Sequence, residues 1–145
     1  MLNHEETRFQ NGLAKLAEVD GQAGEKVIAA LQDIAPDFAR LLVSFAFGDI
    51  YSRPGLDLKS REIGVVAALT ALGNAKPQLK VHIHAALNVG CSREQIIETI
   101  MMMSVYAGFP AALNGLFAAQ EVFAETEHKA HCRPTPPPAP CSMPA

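Results

Sequence analysis

Apolar residues recur at steps of three or four along most of the chain, the period of helices with one buried face. Phe9, Leu13, Leu16 and Val19 predict a first helix over residues 4–19, which Asp20 and Gly21 interrupt. Val27, Ile28 and Leu31 predict a second over 25–34, with these three inward. It stops before Pro36, because the residue ahead of a proline is pushed out of helical geometry. Pro36 suits the first turn of a third helix over 36–47, where a missing N–H costs nothing, and Gly48 is read as its end. The stretch GDIYSRPGLD, 48–57, is a loop by its Gly, Pro and Asp content. Asp57 as N-cap and Gly73 just past the end delimit a fourth helix over Leu58–Leu72. A fifth is expected over 78–89, closed by Gly90. Ser92 with Gln95 forms a capping-box pattern for a sixth, ending near Ala107 and Gly108, and Pro110 begins a seventh reaching His128. No segment alternates apolar and polar residues as a half-buried strand would. The fold class is all-α, a single-domain bundle of about seven helices.

Three parts follow: an N-terminal helix in residues 1–24, a helical domain in 25–128, and a tail in 129–145. The tail's HCRPTPPPAPCSMPA is Pro-rich and is expected to be extended, polyproline-like chain.

Composition narrows the function classes. At 145 residues, 49% apolar and 19% charged, the chain has the balance of one globular domain. A formal net charge of −3 gives no electrostatic reason to expect nucleic acid or an anionic membrane as partner. The absence of Trp and the presence of only two Tyr argue against stacking platforms for bases. No apolar run approaches the roughly 18 residues of a spanning helix, and MLNHEETRFQNG lacks the order of a signal peptide. A cytoplasmic protein is expected. Cys91, Cys132 and Cys141 are odd in number and show no CxxC spacing, which argues against a disulfide scaffold.

Two ionisable residues stand where the helical period expects apolar ones. Glu62 falls within the stripe of Leu58, Val65, Leu69 and Leu72, and His82 falls among Leu79, Ile83, Ala86 and Val89. Alone, Glu62 reads as a first-turn carboxylate favoured by the helix dipole, and His82 as a core histidine bonded to a backbone carbonyl. Together, on consecutive helices facing one core, they point to a site. A carboxylate bonded to imidazole fixes its tautomer and supports its protonated form, as acid–base work near neutral pH requires. His84 lies about 200° around the helix from His82, so the two cannot line one pocket from one chain.

Arg53 and Arg61 bracket this region, either as surface charge or as a bidentate clamp for a substrate carboxylate. Tyr51 and Tyr106 are weaker candidate contacts, each read as structural by default. Met101, Met102 and Met103 suit packing, some of it at a subunit contact. His128, His131 and Cys132 have helical spacing that suggests metal, but no fourth ligand stands near, and a frayed helix end accounts for them.

The motifs RPGLDLKSREIGVVAALTALG, LKVHIHAALNVGCSREQIIETI and VYAGFPAALNGLFAAQEVF resemble the carboxymuconolactone decarboxylase family over roughly residues 25–125. The resemblance implies an AhpD-like helical subunit in a ring-like homo-oligomer, a trimer or hexamer. It implies removal of carbon dioxide from 4-carboxymuconolactone or a related small lactone or carboxylic acid. No cofactor is implied; Glu62 and His82 are the catalytic pair, and Arg53, Arg61, Tyr106 and His84 the substrate contacts. The family's peroxidase branch carries a Glu, then CxxC, with a His four residues after the second Cys. Setting His82 on that His puts Ala75 and Gln78 where the cysteines would stand, so the redox pair is absent. Where the decarboxylases carry Arg in an HxR pattern, this chain has His84. The alternatives are a peroxidase relative that has lost its redox pair, or a non-catalytic oligomer that binds a small acid.

Overall fold

The computed structural model describes residues 3–131, and every described element is helical. Cys132, Cys141 and most of the Pro-rich tail lie outside the described residues. The helices are α1 (His4–Asp20), α2 (Gln22–Leu31), α3 (Pro36–Leu41) running on into a π-helical segment (Leu42–Tyr51), α4 (Leu58–Leu72), α5 (Lys76–Asn88), α6 (Arg93–Ala107) and α7 (Phe109–His131). No described helix is long and apolar enough to cross a membrane.

Local chemistry explains the boundaries of α4 and α6. Asp57 Oδ1 accepts the Ser60 N–H at 3.0 Å, and Gly73 closes α4 at φ 75°, a left-handed conformation that glycine adopts without a Cβ clash. Ser92 Oγ accepts the Gln95 N–H, and Gln95 Oε1 accepts the Ser92 N–H, so both halves of the capping box form.

Three expectations need correction. The third helix does not stop at Gly48 but continues to Tyr51 as π-helix. Gly48 serves helix packing instead: a Cβ there would stand 2.6 Å from the Arg8 carbonyl oxygen, and one on Gly12 would press on the Val43 carbonyl. Paired glycines thus let α1 and the π segment approach backbone to backbone, and the Arg8–Asp49 ion pair ties the same two elements. The second helix starts earlier, at Gln22, and Val27 is partly exposed instead of inward. On α4 the buried line is Glu62, Val66 and Thr70, while Leu72 is 64% exposed. The cause is tertiary: Gly115 of α7 has no side chain, so Thr70 lies within 3 Å of where its Cβ would be. That close approach turns the Val66–Thr70 edge inward.

The core has two parts. One gathers Val66, Leu79, Ile83, Ile96, Ile100 and Val122 from α4 to α7; the other gathers Leu16, Val19, Val43, Phe47 and Ala85 from α1, the π segment and α5. Helix α5 contributes to both and forms the seam.

Added volume at the tight glycines is expected to be destabilising. Gly12→Ala should lose about 1–3 kcal/mol in chemical denaturation, the usual effect of overpacking. Gly64, mid-α4 with nothing within 4 Å of a built Cβ, is the control; Gly64→Ala should gain about 0.5–1 kcal/mol from helix propensity.

Candidate active site

Helix α4 carries Glu62 into the interior, where its side chain is fully buried. A buried carboxylate is tolerated only when its oxygens are satisfied. Tyr51, last residue of the π segment, donates its hydroxyl to Glu62 Oε1 at 2.7 Å. His82 Nδ1 bonds Glu62 Oε2 at 2.9 Å. An ionised carboxylate only accepts, so Nδ1 carries the hydrogen and Nε2 is left free, as acceptor when neutral and donor when protonated.

His82 keeps 21% of its side chain exposed, and that part faces a cavity of about 250 Å³. The walls are mostly apolar, from Leu16, Leu42, Phe47 and Val81, while Asp20, Gln78 and His82 supply the polar lining. Asp20 ends α1, and its Oδ1 is buried with no hydrogen-bond partner.

Charges and burial set the protonation behaviour. Burial, reinforced by the Glu62 charge and opposed by His82, pushes the Asp20 carboxyl up to about 6. At His82 burial works against the imidazolium, but the hydrogen bond and charge of Glu62, with Asp20 beyond it, outweigh burial and raise its pKa. Burial, then Glu62, raises the Tyr51 hydroxyl, which therefore stays a donor.

The structure brings Glu62 and His82 together and leaves the other expected contacts off the cavity. Arg61 donates to the Leu56 and Arg53 carbonyls at 3.0 and 2.8 Å and stands over the Tyr51 ring. Arg53 is exposed on the same loop. His84 faces outward and pairs with Glu125 at 3.1 Å. Tyr106 is 79% exposed near the end of α6. His131 bonds the Glu127 carbonyl, and its sequence neighbour Cys132 lies outside the described residues. Among the described residues, no three His, Cys, Asp or Glu side chains converge as a metal would require.

Asp20 was missed by the sequence reading, and Tyr51 was weighed only as a weaker candidate. Asp20 had a signal: it continues the Leu13–Leu16 stripe by one four-residue step and so belongs to the inner face. Tyr51 had only a weak one, since Gly48 was read as the end of its helix.

The model of the carboxymuconolactone decarboxylase family matches residues 36–121. The chain belongs to the carboxymuconolactone decarboxylase family. It is 35% identical to a 4-carboxymuconolactone decarboxylase of Acinetobacter baylyi, over 83% of this chain and 90% of that one. An uncharacterized 15.0 kDa protein of Paracoccus denitrificans is 35% identical over 69% of this chain and 75% of its own. A nitrosuccinic acid decarboxylase of Metarhizium robertsii is 30% identical over 78% of this chain and 79% of its own.

Linkage gives the sign of a pH test. Asp20 titrates higher in the fold than its ordinary 3.8, so its ionisation lowers stability as pH climbs from about 4 through about 6. Asp20→Asn is therefore expected to melt above wild type near pH 7.5 and level with it near pH 4. His82 acts in the same direction: its pairing stabilises fully below its ordinary 6.5 and is lost as pH rises through its raised folded value. Glu62→Gln should accordingly give up more stability near pH 6 than near pH 9, read by thermal denaturation.

Proposed function

We propose that this chain is a cofactor-independent decarboxylase acting on 4-carboxymuconolactone or a related small lactone or carboxylic acid. The observation that carries the reading is the Tyr51–Glu62–His82 hydrogen-bond chain, which ends with His82 on a mostly apolar cavity. The decarboxylases among its relatives agree with the reaction type.

Decarboxylation breaks the bond between the carboxylate carbon and the ring. The electron pair passes into the lactone carbonyl, carbon dioxide leaves, and one proton must be returned to carbon. His82 is proposed to supply that proton from Nε2, with Glu62 stabilising the imidazolium and Tyr51 holding the second Glu62 oxygen so that the carboxylate cannot turn away. The largely apolar walls strengthen these interactions as charge develops on the lactone oxygen. The substrate clamp expected of Arg53 or Arg61 is left out of this reading, because Arg61 is engaged with loop carbonyls and neither side chain lines the cavity. Redox chemistry is disfavoured at Cys91, whose thiol is buried and pushed up by that burial.

A homo-oligomer, trimer or hexamer, is part of the proposal. Helices α6 and α7 expose Met102, Val105, Tyr106, Phe109, Leu113 and Phe117, apolar side chains that a subunit contact would cover. This places Tyr106 and part of the methionine run at the proposed subunit contact.

Purified protein is expected to release carbon dioxide from 4-carboxymuconolactone. His82→Ala should lower kcat on the order of 100-fold or more, and Tyr51→Phe about tenfold, the worth of one hydrogen bond to a charged group. Failure of wild type on this lactone and on a panel of small lactone acids sinks the decarboxylase reading. A His82→Ala variant that keeps full rate moves the chemistry elsewhere. In a separate test, light scattering should give a multiple of 15.5 kDa, and Val105→Glu should shift it toward the monomer.

A further inference from the structure

The cavity beside His82 presents its ligand with an electrostatic problem. Asp20 Oδ1 is buried and bonded to nothing, although buried carboxyl oxygens are ordinarily satisfied. The groups facing Asp20 are His82 from α5, Glu62 from α4 and Tyr51 from the π segment. Helix α2 presents only Gly24 and Val27 to the cavity, and among the described residues no Lys or Arg lines it. With every acid ionised, Glu62 and Asp20 face one imidazolium. A carboxylate ligand would add a further negative charge between largely apolar walls, where like charges repel more strongly than in bulk water.

We infer that Asp20 contacts the ligand, and that a small carboxylate enters this cavity only together with one proton, which Asp20 holds. This rests on the reading above that the ligand is a small acid bound beside His82. No covalent bond changes; the proton from solvent turns the orphaned carboxyl from a repelling group into an O–H donor to the incoming carboxylate, a charge-assisted hydrogen bond. Because burial already raises Asp20 to about 6, the proton is available close to neutral pH.

The test is calorimetric titration of the full chain with 5-oxotetrahydrofuran-2-carboxylate, a saturated lactone acid. It is run from about pH 5.5 to 8.5 in buffers of different ionisation enthalpy, so that protons are counted directly. Wild-type Kd is expected to weaken about tenfold per pH unit above about pH 6.5, with close to one proton taken up near pH 7.5. Asp20→Asn should bind at least about tenfold more tightly than wild type near pH 7.5, with uptake below about half a proton. If Asp20→Asn does not fold, Asp20→Ala is expected to lose the proton uptake in the same way. Wild-type binding with a flat pH profile overturns the Asp20 inference while leaving the small-acid reading in place. Uptake unchanged in the Asp20 variant assigns the proton to His82 and overturns it too. No binding by either protein at any pH removes the small-acid reading, and this inference with it.

Discussion

A carboxylate without any access to water is the constraint that the rest of the molecule is built to meet. Glu62 lies fully inside the bundle, and a buried charge with one oxygen unsatisfied would cost several kcal/mol. Its two partners come from different elements, Tyr51 from the end of the π segment and His82 from the middle of α5. Neither bond survives a shift of its helix by one residue. The placement of α4, α5 and the π segment is therefore set by the same bonds that orient the imidazole.

This explains why the tightest packing lies away from the cavity. Tyr51 reaches Glu62 only if the π segment is held hard against α1, and Gly12 and Gly48 make that approach possible by removing two side chains. The same contact fixes the end of α1 and hence Asp20, which lines the cavity. Two acidic groups whose charges act on one histidine thus depend on one backbone-to-backbone contact. A π-helical stretch is rare and is most often found beside functional sites; here its last residue is the donor to Glu62.

Much of this was legible in the sequence where the signal was local. The Asp57 and Ser92 caps and the left-handed Gly73 delimited their helices because cap chemistry acts within one turn. The phase difference between His82 and His84 follows from helix geometry alone, and the structure puts one on the cavity and the other on Glu125. What was not legible depended on distant partners. Gly48 resembles a helix stop until α1 is packed beside it. Leu72 resembles core until Gly115 of α7 turns the Thr70 edge inward. Arg61 resembles a substrate clamp until the Arg53 and Leu56 carbonyls are brought within its reach.

The arginine correction changes the argument about the site more than the others do. A guanidinium in the cavity would hold a substrate carboxylate tightly, in the ground state as much as in the transition state. Such uniform binding lowers KM without accelerating the chemical step. A cavity with an imidazolium, an orphaned carboxyl and apolar walls holds the carboxylate less firmly than a guanidinium would. As carbon dioxide leaves, the negative charge moves off the carboxylate and toward the lactone oxygen. Relief of the carboxylate's burial is gained only along the reaction path, so the absence of a guanidinium from the wall works for the proposed decarboxylation and not against it.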